Sequence, residues 1–204
     1  MGKKLDDPMA ESKTRPNADD DNHLTGTLLV AMPAMSDTRF AHSVIFLCAH
    51  SPDGAMGIVV NQLADGLNFP EMAEQLEIDH SGDTEAISIH SGGPVETSRG
   101  FVLHTTDYES DGTLEINEDF SLTATIDILR DIAVGQGPDR FVLALGYAGW
   151  SPGQLDREIQ ENGWLIVPAD QSLVFDQKNE AKWHRSMAKI GVDPSVLSTV
   201  AGHA

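Results

Sequence analysis

The run RFVLALGYA, Arg140 to Ala148, most narrows the folds open to this chain. It is apolar along almost its whole length and has no polar face to offer to water. A strand of that kind is stable only where both faces of its sheet are covered. The chain therefore needs a layered fold, with apolar material above and below this segment.

Other segments supply that material. GTLLVAMP, Gly26 to Pro33, reads as a buried strand. SVIFLCAH (Ser43 to His50) and GIVVNQ (Gly57 to Gln62) flank SPDGAM, where Pro52 presets φ and Gly54 accepts a positive one. The pair is expected to form an antiparallel hairpin. AISIH (Ala86 to His90), RGFVLH (Arg99 to His104), LEI (Leu114 to Ile116), WLIVPA (Trp164 to Ala169) and LVF (Leu173 to Phe175) read as shorter strands. FPEMAEQLEI, Phe69 to Ile78, is expected as a helix with Phe69, Met72 and Leu76 on its buried face. Leu122, Ile126, Leu129 and Ile132 recur at near-helical spacing, which predicts a helix from Ser121 to Val134 stopped at Gly135. Asn179 to Gly191 predicts a last long helix with Trp183, Met187 and Ile190 on one face, and DPSVLS a final helical turn. Hairpins early and strand–helix alternation late argue for α+β with a mixed sheet, and Leu24 to Ala204 reads as one domain.

Charge excludes some functions. The 204 residues include 32 acidic and 13 basic side chains, a formal net charge of −19. That balance repels phosphate backbones, so direct nucleic-acid binding is not expected. Residues 1–23 are polar and acidic, without the apolar core of a signal peptide, and are expected as a disordered tail. No apolar run approaches the ~20 residues that cross a bilayer. The single cysteine, Cys48, lies in an apolar run and cannot form an internal disulfide. A cytoplasmic protein without membrane contact is the expectation.

GWSPGQL, Gly149 to Leu155, contains a G-x-S-x-G pattern between a strand and a helix-like segment, the setting of a hydrolase nucleophile. The oxyanion hole of such a site uses the N–H of the residue after the serine, and here that residue is Pro152. A donor lost there costs ~100- to 1000-fold in rate. Ser151 is therefore expected as a helix N-cap, with Pro152 at the first helical position and Gln154 closing a capping box. Gly146, Gly149 and Gly153 would let the chain turn between strand and helix. No catalytic residue is assigned.

Three apolar runs end in histidine, at His50, His90 and His104, but no HExxH pair or Cys/His cluster accompanies them. Neither a metal nor a cofactor is expected. Asp107, Glu109 and Asp111 resemble calcium ligands in spacing, yet the twelve-position loop pattern fails, which leaves a solvated acidic loop. SGGPV, Ser91 to Val95, could cradle an anion with free N–H groups, or could be a tight connection that needs glycine. If the sheet ends coincide, His50, Asn61, Gly92, Gly93, Arg99 and His104 would make one small polar site for a carboxylate or phosphate.

GTLLVAMPAMSDTRFAHSVIFLCAHSPDGAMGIVVNQ, SGGPVETSRGFVLH, LALGYAGWSPGQLDREIQENGWL and the terminal AGHA occur here in that order. In these stretches the chain resembles the YqgE/AlgH family of bacterial proteins, from Leu24 to Ala204. The resemblance implies a single α+β domain, a bent mixed sheet folded into a pseudo-barrel with helices around it. It brings no catalytic residues. It brings a label of putative transcriptional regulator, for which the chain shows no recognisable helix-turn-helix. The expected function is a binding or regulatory protein acting on an unknown protein or small-molecule partner. The alternative is an enzyme on a small anionic substrate.

Overall fold

The computed structural model of the protein describes residues 24–80 and 84–197. The tail expected over residues 1–23 and the AGHA terminus lie outside them. Nine strands form one sheet: β1 (Thr27–Ala31), β2 (Val44–Ser51), β3 (Gly54–Val59), β4 (Ile89–Ser91), β5 (Val95–His104), β6 (Leu114–Glu115), β7 (Ser121–Thr123), β8 (Phe141–Trp150) and β9 (Trp164–Pro168). Their order is β6-β7-β5-β8-β3-β2-β1-β9, and β4 joins the side of β8. Every pairing is antiparallel except β4 with β8. The sheet curls into a half-barrel, and five helices pack with it: α1 (Phe69–Gln75), α2 (Ile126–Ala133), α3 (Gln154–Gln160), α4 (Gln171–Val174) and α5 (Asn179–Lys189). The α+β expectation, with one mixed sheet, holds.

The early hairpin forms with Ser51 opposite Gly54, so β3 begins three residues before the apolar run does. Strand alternation then sorts side chains between two faces. Leu28, Val30, Val44, Phe46, Ile58 and Val60 point into the central cluster, which α4 and α5 close with Leu173, Trp183 and Met187. Leu29, Ala31, Ile45, Leu47 and Val59 point the other way, to a cluster covered by Leu155 of α3.

β8 serves three clusters. Val142 and Ala144 face the central cluster, and Leu143 faces the one beneath α1 and α2. Gly146 then takes φ +73 where the pairing with β5 jumps from Leu145–Gly100 to Tyr147–Val95, and beyond it the side chains of β8 change face. Tyr147 therefore packs on the central cluster, while Ala148 and Trp150 join the cluster beneath α3. Both faces of the apolar run are covered over most of its length, with Phe141, Leu145 and Tyr147 half-buried.

Three local expectations are corrected. Ser121 to Val134 is not one helix. Ser121–Thr123 pairs with β5 and β6 as strand β7, and only Ile126–Ala133 is helical. Leu122 suits either period, and a strand partner on each side decided it. Leu173 to Phe175 belongs to α4 and its C-cap rather than to a strand, because Asp170 caps the turn by accepting from the Leu173 N–H at 2.8 Å. The buried face of α1 is Phe69 and Ala73, while Leu76 is 39% exposed.

Candidate functional site

Strand register separates the residues named together from the sequence. His50 pairs with Ala55, which pairs with Trp150 at the end of β8, whereas His104 pairs with Phe141 at its beginning. The ten residues of β8 put roughly 30 Å between those ends. The composite site at one sheet edge is not assembled. His50 accepts from the Leu24 N–H through Nδ1 and lies 3.6 Å from Asp156. Asn61 fastens the end of β3, accepting from the Val44 N–H at 2.7 Å and donating to the His42 carbonyl at 2.9 Å. Arg99 is exposed, pairs with Glu96 and lies over the Phe101 ring. His104 is fully buried between the Thr105 carbonyl and the Thr123 hydroxyl, and burial lowers its pKa.

The glycines of SGGPV are occupied by the sheet itself. Gly92 donates to the Leu145 carbonyl and accepts from the Val59 N–H, bridging β8 and β3. A Cβ on Gly92 would lie 2.2 Å from the Gly146 oxygen, and one on Gly93 would lie 2.1 Å from the Tyr147 carbonyl carbon. The loop is a close backbone crossing and not an open cradle.

GWSPGQL also takes a structural role, by a different cap from the one expected. Gly153, at φ +65, is the N-cap of α3. The Ser151 N–H donates to Gln154 Oε1 at 3.0 Å, which is one half of a capping box, and the serine hydroxyl is unpaired among the described residues. Gly149, expected to help the turn, is ordinary strand. Gln154 donates on to Glu158 Oε1, and Glu158 Oε2 accepts from the indole N–H groups of Trp150 and Trp164 at 2.9 and 2.8 Å. One carboxylate thus locks α3 to β8 and β9. Ser151→Ala should shift stability by less than about 0.5 kcal/mol in urea unfolding. Glu158→Ala, which orphans two indole donors, should cost about 2–4 kcal/mol. Equal effects would refute this assignment.

Two concavities carry chemistry. The first, about 390 Å³, lies between β4, the start of β8 and the N-terminus of α5. Lys182 of α5, 1% exposed, lines it and donates to the Val60 and Val174 carbonyls at 2.6 and 2.8 Å. Burial pulls its pKa down to about 8. His90 lines the same cavity, and burial first, then the Lys182 charge, lowers its pKa. Its Nδ1 meets the Leu143 carbonyl and its Nε2 meets the Asn179 side chain, both at 3.3 Å. A carbonyl only accepts, so neutral His90 carries its proton on Nδ1, and the Asn179 amide must then turn its NH2 group to Nε2. Arg140, over the Phe175 ring, stands at the same cavity. His90 was visible in the sequence as a strand end. Lys182 was missed, although Lys182 and Ser186 lie beside Trp183 and Met187 on the buried face of α5. Cys48, by contrast, is sealed in the core, where burial pushes its thiol up to about 12.

The second concavity, about 360 Å³, is an apolar groove between α1 and α2 over β5 and β8. Leu67, Leu76 and Ile126, exposed to 48, 39 and 38%, share it with Met72, Leu129 and Leu145. Thr125 Oγ1, at the N-terminus of α2, lines it too, and is a buried side-chain atom without a hydrogen-bond partner. Among the described residues, no group of three or more His, Cys, Asp or Glu side chains is placed to hold a metal ion, and no helix is long and apolar enough to cross a membrane.

These features define a class: a single α+β domain on a curled half-barrel sheet, with a polar and an apolar concavity among those beside its central strand. The chain belongs to the AlgH-like family, whose match spans residues 28–195. It is similar to UPF0301 proteins of Afipia carboxidovorans, at 56% identity over 89% of this chain and 90% of that one, and of Rhodopseudomonas palustris strain BisB18, at 54% over 95% of both. The solution structure of the AlgH protein from Pseudomonas aeruginosa matches 92% of this chain and 100% of that one, with 41% identity and a TM-score of 0.74. A crystal structure of a Corynebacterium diphtheriae protein, 23% identical with a TM-score of 0.67, covers 86% of this chain and 91% of that one and shares the fold.

Proposed function

We propose that the protein is a cytoplasmic binding or regulatory protein that acts by receiving a segment of another protein in the groove between α1 and α2. The observation that carries this reading is the convergence of three half-exposed apolar side chains, Leu67, Leu76 and Ile126, on one groove. Apolar surface gathered in that way marks an interaction site, whereas scattered exposed leucines do not. Glu71 lines the groove, Glu74 shares its helix, and neither carboxylate has an ion-pair partner among the described residues. The occupant that fits is a short amphipathic segment, apolar on one side and rich in Lys or Arg on the other. The overall charge of −19 would speed its approach. Any link to transcription would run through such a protein contact, because the same charge opposes contact with DNA.

Selection from a random 15-residue peptide display library tests this. Enriched peptides should share two apolar residues at helical spacing flanked by basic ones. Their binding should fall at least tenfold in Leu76→Asp/Ile126→Asp and weaken with salt. Enrichment of acidic peptides, or binding that ignores the groove substitutions, would overturn the reading. The alternative of an enzyme on a small anionic substrate draws on the other concavity, where Lys182 and His90 both have displaced pKa values.

A further inference from the structure

The cations of the described residues fall into two sets. Arg39, Arg99, Arg130, Arg185 and Lys189 each stand against a carboxylate. Arg140, Lys178, Lys182 and Arg157 form no ion pair with a described carboxylate, although the Asp176 charge acts on both lysines; two of the four stand at the polar cavity, and Arg157 stands apart on α3. Arg140 and Lys182 line it, and Lys178 lies between the lining residues Gln177 and Asn179. With 32 acidic side chains against 13 basic ones, a cavity whose cations stand outside ion pairs is a place where an anion can be held.

The donors around the cavity are uncommitted in part. An ammonium has three hydrogens, and Lys182 uses two of them on the Val60 and Val174 carbonyls. The guanidinium of Arg140 makes no hydrogen bond to the described residues and lies over the Phe175 ring, 5.6 Å from its centre. The eleven-residue α5 begins at Asn179 in the cavity wall, and no side chain caps it. Its dipole therefore adds positive potential at the same place.

Two carboxylates also line the cavity. Asp176 is occupied by Arg185 and by the Lys178 N–H. Asp139 has no partner for its carboxylate among the described residues. It opposes an anion that carries only acceptors and favours one that keeps a proton to donate.

We propose that this cavity binds a phosphate group in its protonated form, held by Arg140, Lys182 and the N-terminus of α5, with Asp139 accepting a hydrogen bond from the phosphate hydroxyl. A volume of about 390 Å³ exceeds the needs of the inorganic ion, so the group can belong to a phosphorylated small molecule. The inference is independent of the groove.

Calorimetric and amide-NMR titration at pH 6.5 tests it, with inorganic phosphate and glycerol 3-phosphate as probes. Both should shift the amides of Ser88, Arg140 and Asn179. Arg140→Ala and Lys178→Ala should weaken binding at least tenfold and threefold, and Arg130→Ala on α2 should leave it unchanged. Tighter binding of glycerol 3-phosphate assigns the site to a phosphorylated molecule, and tighter binding of the inorganic ion assigns it to free phosphate. Sulfate, with no proton for Asp139, should bind several-fold more weakly than phosphate. Shifts that sulfate reproduces at the same strength, or that survive Arg140→Ala, would overturn the proposal.

Discussion

Gly93→Ala is expected to destabilise the protein by more than about 4 kcal/mol, enough to lower its melting temperature by roughly 8–16 °C or to abolish soluble expression. Two effects add. Gly93 has φ +149, a region closed to residues with a side chain. The new Cβ would also lie 2.1 Å from the Tyr147 carbonyl carbon and 2.3 Å from the Ala148 nitrogen. Those atoms belong to β8, which pairs with β3, β4 and β5 and cannot move without disturbing all three. A flexible side chain would step aside, but a central strand does not. Gly100→Ala is the matching control. Nothing lies within 4 Å of its Cβ position, and its stability should change by less than about 0.5 kcal/mol. Differential scanning calorimetry decides. A Gly93→Ala protein that melts like wild type would mean that the SGGPV crossing is open, and would return the anion-cradle reading to that loop.

Lys182→Ala is expected to cost about 3 kcal/mol or more in urea unfolding at pH 7. It removes a side chain that is 1% exposed and leaves the Val60 and Val174 carbonyls without their donor. Each orphaned carbonyl costs about 1–3 kcal/mol, and the void adds about 2–5 kcal/mol. Against this stands relief from burying a charge. The fall of the ammonium pKa from 10.5 to about 8 corresponds to roughly 3 kcal/mol. The losses exceed the relief. In Lys182→Met the stem volume is kept, so the two sides nearly balance and the cost should be smaller.

The pH dependence has a definite sign. A group whose pKa is lower folded than unfolded holds more protons when unfolded, between about pH 8 and 10.5. Stability contributed by Lys182 is therefore at its minimum below pH 8 and rises towards pH 10.5. The neutral amine keeps two hydrogens, enough for both carbonyls. Wild type should gain on Lys182→Met as pH rises through that window. A gap that stays constant or narrows would show that the charge is not buried in the folded protein.

Much of the fold was legible because its signals are local. Pro52-Asp53-Gly54 sets a turn by its own φ preferences, so the β2–β3 hairpin followed from a handful of residues. The apolar RFVLALGYA announced a strand covered on both sides, and the periodicity of Asn179 to Gly191 announced α5. Charge and the proline after Ser151 argued against DNA and against a hydrolase elbow without any structure. Where a segment satisfied two periods at once, as Leu122 did, the sequence had no means to choose, and pairing with β5 and β6 made the choice.

The sites depended on distance along β8, which no local pattern records. His50 and His104 look alike in sequence, each a polar ring ending an apolar run, yet register places them, on β2 and β5, level with opposite ends of β8. Gly92 and Gly93 read equally well as a cradle or a crossing until the backbone of Gly146 and Tyr147 filled the space beside them. Lys182 looked like one more surface lysine because its acceptors, at Val60 and Val174, come from other elements. The sequence by itself determined which segments had to be buried and the sign of the net charge, since burial and charge belong to residue types. Only the tertiary structure decided which side chains share a cavity, because that depends on strand register, on the break in the β5–β8 pairing opposite Gly146 and on helices that close over the sheet from distant parts of the chain.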